Sequence, residues 1–227
     1  MTTESILDSL EGGLVVSCQP IENGPMDKDD IVVAMAKAAE IGGAAGLRIE
    51  GAQRAAKVKS AVSLPIIGIV KRDLPDSDVR ITVLEKDVIA LADAGVDIIA
   101  IDATDRPRPV AFDTLVKLAK SRGVMVMADC SNYDEGIYAA ALGCELIGST
   151  LSGYTGGEIP DEPDFQLVSN WTYIGLRVMA EGRYNSTESV GQALKLGAWC
   201  CTVGTAITRT ETVTEWYVKA AQSNYEG

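Results

Sequence analysis

The sequence contains no histidine, the side chain that proteins use most often for proton transfer near neutral pH and for zinc ligation. Acid/base chemistry in this chain therefore falls to lysine, carboxylate, tyrosine or cysteine side chains. The odd number of cysteines and the lack of a C-x-x-C pair indicate neither a disulfide framework nor a zinc site. We predict no bound metal. The cysteines are Cys18, Cys130, Cys144, Cys200 and Cys201.

Positive charge is also scarce: the sequence has 20 lysines and arginines but 32 aspartates and glutamates, so the formal net charge is −12. The electrostatic field of this negative charge repels nucleic acid and anionic membranes. An anionic small molecule could bind only where a cleft holds a local cluster of cations. No apolar run approaches the roughly 18 residues of a membrane span, and residues 1–10 lack the basic and then apolar pattern of a signal peptide. We therefore expect a cytoplasmic protein without nucleic acid or membrane partners.

Short apolar or β-branched runs alternate with longer segments of helical periodicity, which is the pattern of β-α units with a parallel sheet. Eight such units with short connections favour one (β/α)8 TIM barrel over an open doubly wound sheet, and no linker divides residues 1–227 into two domains. Residues 153–163 are predicted to form a loop over one end. The predicted strands are residues 14–17, 45–49, 66–70, 98–101, 125–128, 146–148, 177–180 and 198–203. The predicted helices are residues 30–41, 52–62, 84–94, 112–122, 134–142, 164–170, 187–196 and 211–222.

Polar residues follow each apolar run, at the barrel end where such folds assemble their active sites. Asp102 and Asp129 would either orient substrate hydroxyls or anchor loops, and the pattern leaves both roles open. The residues at these strand ends are Cys18, Gln19, Arg48, Glu50, Lys71, Arg72, Asp102, Asp129, Ser149, Thr150, Glu181, Arg183, Gly204 and Thr205.

Lys71 and Glu181 are the candidate catalytic residues. Lys71 would stand at the barrel mouth beside Arg72, where desolvation and a neighbouring cation favour the neutral amine that a base or a Schiff-base nucleophile requires. Glu181 ends the strand opposite, as expected of two groups that transfer protons on two faces of one carbon. The alternatives are a surface lysine whose stem packs on apolar groups and a carboxylate that merely pairs with Arg183 or Arg48.

A phosphate site is predicted after strands seven and eight, where barrels of this class commonly bind phosphate through glycine-rich turns and a short helix. Gly204 and Thr205 supply the turn, and Arg183 and Arg209 supply positive charge. The Gly-Thr pair alone would be an ordinary turn, so the arginines and the location carry this prediction.

Taken together, the chain resembles the N-acetylmannosamine-6-phosphate 2-epimerase family of the ribulose-phosphate-binding barrels. The resemblance extends over nearly the whole chain. The segments that carry it are GLVVSCQ at residues 13–19, LRIEG at 47–51, PIIGIVKR at 65–72, IDAT at 101–104, MADCS at 127–131, STLSGYT at 149–155, AEGR at 180–183 and VGTAITR at 203–209.

The resemblance implies an isomerase that interconverts N-acetylmannosamine 6-phosphate and N-acetylglucosamine 6-phosphate, in sialic acid and amino sugar catabolism. Lys71 would take the C2 proton from the open-chain aldehyde, and Glu181 would act on the opposite side, directly or through a substrate hydroxyl. The resemblance implies no metal or organic cofactor. It does imply a homodimer. The sugar-binding residues would be Gln19, Arg48, Asp129 and Tyr154, and the phosphate-binding residues Arg183, Gly204, Thr205 and Arg209.

Two other functions remain open at this stage. Lys71 would form a Schiff base with a sugar phosphate if the chain were a barrel aldolase or lyase. A non-catalytic sugar-phosphate sensor would keep the phosphate site without turnover.

Overall fold

Eight parallel strands close into a barrel in the computed structural model, which describes residues 2–223. Each strand is hydrogen-bonded to the next along the chain, and the first pairs with the last, with Gly13 opposite Cys200 and Val16 opposite Val203. The predicted (β/α)8 barrel is thus confirmed. The strands are β1 Gly13–Ser17, β2 Gly46–Glu50, β3 Ile66–Ile69, β4 Ile98–Asp102, β5 Met125–Asp129, β6 Leu146–Gly148, β7 Val178–Ala180 and β8 Cys200–Val203.

The helices surround the strands and bury their apolar faces against the outside of the barrel. All eight predicted helices are present with small shifts at their ends. The short α9 follows β8 directly, and α10 continues from it. The helices are α1 Thr3–Leu10, α2 Asp29–Ile41, α3 Ala52–Lys59, α4 Glu85–Asp93, α5 Phe112–Ser121, α6 Tyr133–Ala141, α7 Phe165–Tyr173, α8 Thr187–Lys195, α9 Thr205–Thr208 and α10 Thr210–Ser223.

Helix α1 was not predicted, and it closes the barrel at the amino-terminal ends of the strands. Its apolar side chains join the cluster that fills the barrel interior. Leu10 lies so close to the start of β2 that a Cβ at Gly46 would be 2.7 Å from its Cδ2. Trp199, just before β8, donates its Nε1–H to the carbonyl of Leu7 at 2.9 Å. Among the described residues, these contacts fill the amino-terminal end of the barrel interior.

The loop between β3 and α4 folds back over the open end, which the sequence did not predict. Backbone bridges join Lys71 to Ile81 and Leu74 to Ser77 in antiparallel orientation. This places Arg80 beside Lys71 at the barrel mouth.

Among residues 2–223, no helix has the length and apolar character needed to cross a bilayer. The single-domain prediction spans residues 1–227, of which residues 1 and 224–227 lie outside the described part of the chain.

Candidate active site

A cavity of about 420 Å³ opens at the carboxyl ends of the strands. Its walls contain Lys71 and Glu181 together with most of the predicted binding residues. The predicted site residues in the wall are Gln19, Arg48, Lys71, Tyr154, Glu181, Arg183, Gly204, Thr205 and Arg209. The structure therefore gathers in one cavity side chains that lie as much as 190 residues apart in the chain.

The floor of the cavity holds a buried guanidinium between two carboxyl groups. Arg48 at β2 donates from Nη1 to Asp129 Oδ1 at 3.1 Å and from Nη2 to Asp129 Oδ2 at 2.6 Å. The same Nη1 lies 3.0 Å from Oε2 of Glu181. A bidentate pair of this kind fixes the plane of the guanidinium and, through it, the position of Glu181.

Asp129 is the one predicted site residue that is not among the residues lining the cavity. Its side chain is fully buried beneath Arg48 at the end of β5. Both of its oxygens accept hydrogen bonds from Arg48, and Oδ1 also accepts one from the Thr150 hydroxyl at 2.6 Å. Asp129 therefore orients Arg48 and Thr150, and its contact with a sugar remains a prediction.

The carboxyl group of Glu181 is placed to exchange a proton near neutral pH. Burial raises the pKa of Glu181 to about 7, and the charge of Asp129 adds to the rise, whereas Arg48, Lys71 and a hydrogen bond with Thr150 lower it. Its backbone is fixed as well, because its N–H donates to Ser149 Oγ at 3.0 Å.

Lys71 has the properties of a lysine base. Displacement of water by the cavity walls lowers the pKa of Lys71 to about 8, repulsion from Arg48, Arg209 and Arg80 contributes, and Glu50 opposes the effect. The side chain still reaches solvent at the cavity mouth, so a substrate can approach its Nζ. With a pKa of about 8, the neutral amine is a minority form at neutral pH but far more abundant than in an ordinary lysine.

The cavity carries the local positive charge that the whole chain lacks. Its cationic side chains are Arg48, Lys71, Arg80, Arg106, Arg183 and Arg209, and its acidic side chains are Asp78, Asp102 and Glu181. Against a net charge of −12 for the protein, this local excess of cations favours an anionic small molecule in the cavity.

Asp102 lies in the cavity wall and also anchors a loop, one of the two roles left open for it. Its Oδ1 accepts from the hydroxyl of Thr104 at 2.6 Å, and its Oδ2 accepts from Nη2 of Arg106 at 3.0 Å. The network holds the segment that follows β4 and turns Arg106 toward the cavity.

The ends of β8 and β1 form one side of the cavity. Gly204 precedes α9, and a Cβ at this position would lie 3.3 Å from Cβ of Ser17. Arg209 donates from Nε to the backbone carbonyl of Gln19 at 3.2 Å. The first N–H groups of a helix have no partner within it, so the turn at Gly204 and Thr205 offers backbone donors beside a fixed arginine.

Arg183 lines the cavity and also holds the loop that follows β6. It donates from Nε to the carbonyl of Glu162 at 2.8 Å and from Nη1 to the carbonyl of Ser152 at 2.5 Å. Its guanidinium stacks 5.2 Å from the ring centroid of Tyr154. Arg183 thus anchors the predicted loop of residues 153–163, and its contact with phosphate remains a prediction.

Some buried polar atoms of the cavity wall have no protein partner. Gln19 donates from Nε2 to Ser17 Oγ at 2.7 Å, while its Oε1 has no hydrogen bond within residues 2–223. The hydroxyls of Thr202 and Tyr184 are also buried and unpaired in the described part of the chain. Such groups are costly unless a ligand or water satisfies them, so they are candidates for contacts with a polar ligand.

Within the described residues, no group of three or more cysteine, aspartate or glutamate side chains gathers in the way that metal ligands do. Sequence reasoning assigned no role to several polar residues of the cavity, among them Arg80, Arg106, Thr150, Tyr184 and Thr202. The sequence could have indicated Thr150, because this residue follows a predicted strand. Arg80 reaches the cavity through the folded-back loop, which the sequence did not predict.

Comparison with known proteins bears on this cavity. A family model described as "Putative N-acetylmannosamine-6-phosphate epimerase" matches residues 32–223. The chain belongs to this epimerase family. The matched span contains every predicted site residue except Gln19.

Individual relatives cover the chain almost completely. Proteins named "Putative N-acetylmannosamine-6-phosphate 2-epimerase" are 55% identical over 218 residues in Pasteurella multocida, covering 96% of each chain, and 51% identical over 223 residues in Haemophilus influenzae, covering 98% of each. The solved structure of the N-acetylmannosamine-6-phosphate 2-epimerase from Clostridium perfringens superposes with a TM-score of 0.91 at 38% identity. That match covers 94% of this chain and 95% of the other.

Proposed function

We propose that this protein interconverts N-acetylmannosamine 6-phosphate and N-acetylglucosamine 6-phosphate by removing and returning the proton at C2. The observation that carries the proposal is the pairing of a lysine of lowered pKa with a buried carboxyl group in one cation-rich cavity. Family membership supports the substrate, since relatives that cover 96% and 98% of this chain are named for that reaction.

The neutral amine of Lys71 takes the C2 proton of the open-chain sugar. The neighbouring aldehyde makes that proton acidic, and the resulting enolate loses the configuration at C2, so the proposal requires no cofactor. Glu181 serves the opposite face, either as the second acid/base group or through a hydroxyl of the substrate. The guanidinium of Arg48 holds Glu181 in position for either route.

The phosphate of the substrate binds at the turn that contains Gly204 and Thr205, with Arg209 as its main charged partner and Arg183 at the edge. Gln19, Arg48 and Tyr154, which line the cavity, contact the sugar. Fixing the phosphate away from Lys71 lets binding energy position C2 beside the amine.

We further propose that the protein works in the cytoplasm, in sialic acid and amino sugar catabolism. A sugar phosphate is a substrate of intracellular metabolism, and all five cysteines of the chain are free thiols, as is usual in a reducing compartment.

A homodimer is the assembly that we propose. Helix α10 buries none of its described residues and exposes Trp216, Tyr217 and Val218. A groove of about 320 Å³ lies open on the outside of β1, between α2 and α9, where the last helix of a barrel usually packs. Its apolar lining residues are Leu14, Val16, Met35, Ala38, Ala39, Ala44 and Ile207. Each α10 would cover the groove of a second copy.

The dimer is tested by light scattering of the full chain and of two variants that add one negative charge to α10. Trp216→Asp should dissociate the dimer, whereas Gln222→Asp, at an exposed position of the same helix, should not. A monomeric unmodified protein at micromolar concentration would refute the assembly.

The catalytic proposal is tested with purified protein and N-acetylmannosamine 6-phosphate, followed by NMR, with Lys71→Ala as the variant and Lys117→Ala as a surface control. Epimer formation that is lost only in Lys71→Ala supports proton transfer. Because a lysine of lowered pKa also suits an imine, borohydride is added in parallel, and a stable mass increase at Lys71 would favour the aldolase alternative. Binding without turnover in the unmodified protein would favour the sensor.

A further inference from the structure

The segment that carries Lys71 lies beyond the end of its strand. β3 ends at Ile69, and its register with β4 joins Ile67 to Ile98 and Gly68 to Ile99. The pairing of these two strands therefore stops short of Lys71, and other contacts must hold the backbone that carries its side chain.

Residues 80–82, in the loop that folds back over the barrel mouth, join the ends of β3 and β4. On one side, the N–H of Thr82 donates to the carbonyl of Val70 at 2.7 Å. On the other side, the N–H of Asp102 at the end of β4 donates to the carbonyl of Ile81 at 2.9 Å. The side chain of Ile81 is buried in the cluster that fills the barrel interior. This short segment is thus bonded to both strand ends and anchored in the core.

Thr82 binds both backbone polar groups of Val70, the residue directly before Lys71. Its N–H donates to the Val70 carbonyl, and its Oγ1 accepts a hydrogen bond from the Val70 N–H at 3.3 Å. The Val70 carbonyl belongs to the same planar peptide unit as the nitrogen and Cα of Lys71. Fixing that carbonyl therefore restricts the direction in which the Lys71 side chain leaves the backbone.

The backbone of Thr82 is left-handed, with φ at 52°. A β-branched residue rarely adopts this conformation, and it persists only where the surrounding structure enforces it. The side chain is fully buried. Glycine would take this backbone without strain, so what threonine adds here is the hydroxyl that binds Val70.

We propose that Thr82 is a positioning residue for the epimerisation, which sets the direction of Lys71 toward the cavity and keeps Arg80 beside it. The inference rests on the proposed function for its consequence in turnover. Its structural part, the placement of the Lys71 amine, concerns the unliganded protein and stands on the contacts of Thr82.

The pKa of the Lys71 amine reports this placement. Displacement of water by the cavity walls is the main cause of the lowered pKa of about 8, and Arg80 adds repulsion. If Lys71 turns outward into water, its pKa rises toward that of an ordinary lysine. The charged groups that act on the amine or respond to it are Arg48, Glu50, Arg80, Glu181 and Arg209.

The first test is a nitrogen-15 NMR titration of the lysine amines in unliganded protein, with Lys71→Arg to assign the Lys71 signal. Thr82→Ser keeps the hydroxyl, and its midpoint should stay near pH 8 as in the unmodified protein. Thr82→Val keeps the branched shape without the hydroxyl, and its midpoint should rise by about 0.5 pH unit or more. Thr172→Val is the matched control, because it removes a hydroxyl that donates to the carbonyls of Ser169 and Leu196 outside the cavity, and its midpoint should not move.

Thr82→Gly serves where Thr82→Val does not fold, since glycine accepts the left-handed backbone but has no hydroxyl. Its midpoint should rise as well. An unchanged midpoint in a folded valine or glycine variant would overturn the inference. This test needs no turnover, so it decides on Thr82 even if the unmodified protein fails to epimerise the sugar and the proposed function falls.

The second test is the pH dependence of kcat and KM for the same variants. Thr82→Val should lower kcat by about 10- to 100-fold, as expected of a misplaced base. KM should change by less than about threefold, because the proposed phosphate contacts lie after β8. The rising part of the pH profile should move to higher pH, and Thr82→Ser should restore both. Equal losses in the serine and valine variants with an unshifted profile would indicate a merely structural role and contradict the proposal.

Discussion

Nη1 of Arg48 lies 3.0 Å from Oε2 of Glu181 while both terminal nitrogens of the same guanidinium are engaged by Asp129. Arg48 is thus shared between two acids and cannot fully stabilise the charge of either. This relationship explains how burial can raise the pKa of Glu181 to about 7 with an arginine in direct contact.

The raised pKa of Glu181 predicts a pH-dependent stability. The folded protein binds the Glu181 proton up to about pH 7, whereas an unfolded glutamate releases it near 4.5. Between these values the folded state holds more protons, so this group makes the protein less stable as the pH rises. We expect Glu181→Gln to gain stability relative to the unmodified protein from pH 4.5 to 7, as measured by urea unfolding. A difference in unfolding free energy that is independent of pH would contradict this.

Lys71 predicts a pH-dependent activity. Because only the neutral amine accepts a proton and its pKa is lowered to about 8, kcat/KM should increase roughly tenfold per pH unit below about pH 7. Where Glu181 acts as the acid, the loss of its proton near pH 7 should limit the increase at higher pH. Lys71→Arg should be inactive at every pH, since a guanidinium stays protonated. Lys117→Ala, at an exposed helix position, should follow the unmodified curve. A flat profile between pH 6 and 8 would argue against lysine as the base.

Substitution of Arg209 should weaken the affinity for the substrate with little loss of turnover. Removing a charge-assisted hydrogen bond to phosphate costs about 1.5–3 kcal/mol, so Arg209→Ala should raise KM by roughly 10- to 100-fold. Arg177→Ala is the matched control, because Arg177 pairs with Glu4 and stacks on Trp199 away from the cavity. A fall in kcat with an unchanged KM would place Arg209 with the reacting atoms instead.

Two helical glycines predict opposite effects on stability. A Cβ at Gly136 in α6 would lie 2.4 Å from Cε2 of the buried Trp171, whereas one at Gly191 in α8 has no neighbour within 4 Å among the described residues. Gly136→Ala should lower the free energy of unfolding by about 1–3 kcal/mol, and Gly191→Ala should raise it by about 0.5–1 kcal/mol. Thermal unfolding of both variants checks the sign. Equal shifts would mean that Trp171 moves aside without cost.

The barrel was predictable because each strand is a short apolar run followed by a polar residue, and Lys71 and Glu181 stand out at such ends. Helix α1 could also have been found, since Ile6, Leu7 and Leu10 share one helical face. The contacts among the site residues could not be predicted from the sequence. Arg48 meets Asp129 and Glu181 across 81 and 133 residues of chain, and that contact depends on how far each strand is staggered around the barrel.

The loop residues that contribute to the cavity could not be predicted from the sequence either. Arg80 enters the cavity because Lys71 and Ile81 pair across a turn whose sequence has no strand pattern. Arg183 was selected for its charge, but its contacts with two loop carbonyls depend on the path of residues 153–163. Sequence therefore identified the residue types of the site, while the partners of each residue required the structure.

The most direct test of the central proposal is proton NMR of N-acetylmannosamine 6-phosphate incubated with the purified protein in heavy water. The account predicts the gluco epimer with deuterium at C2, because Lys71 removes that proton and exchanges it with solvent. Folded protein that yields neither epimer nor exchange at C2 would contradict it.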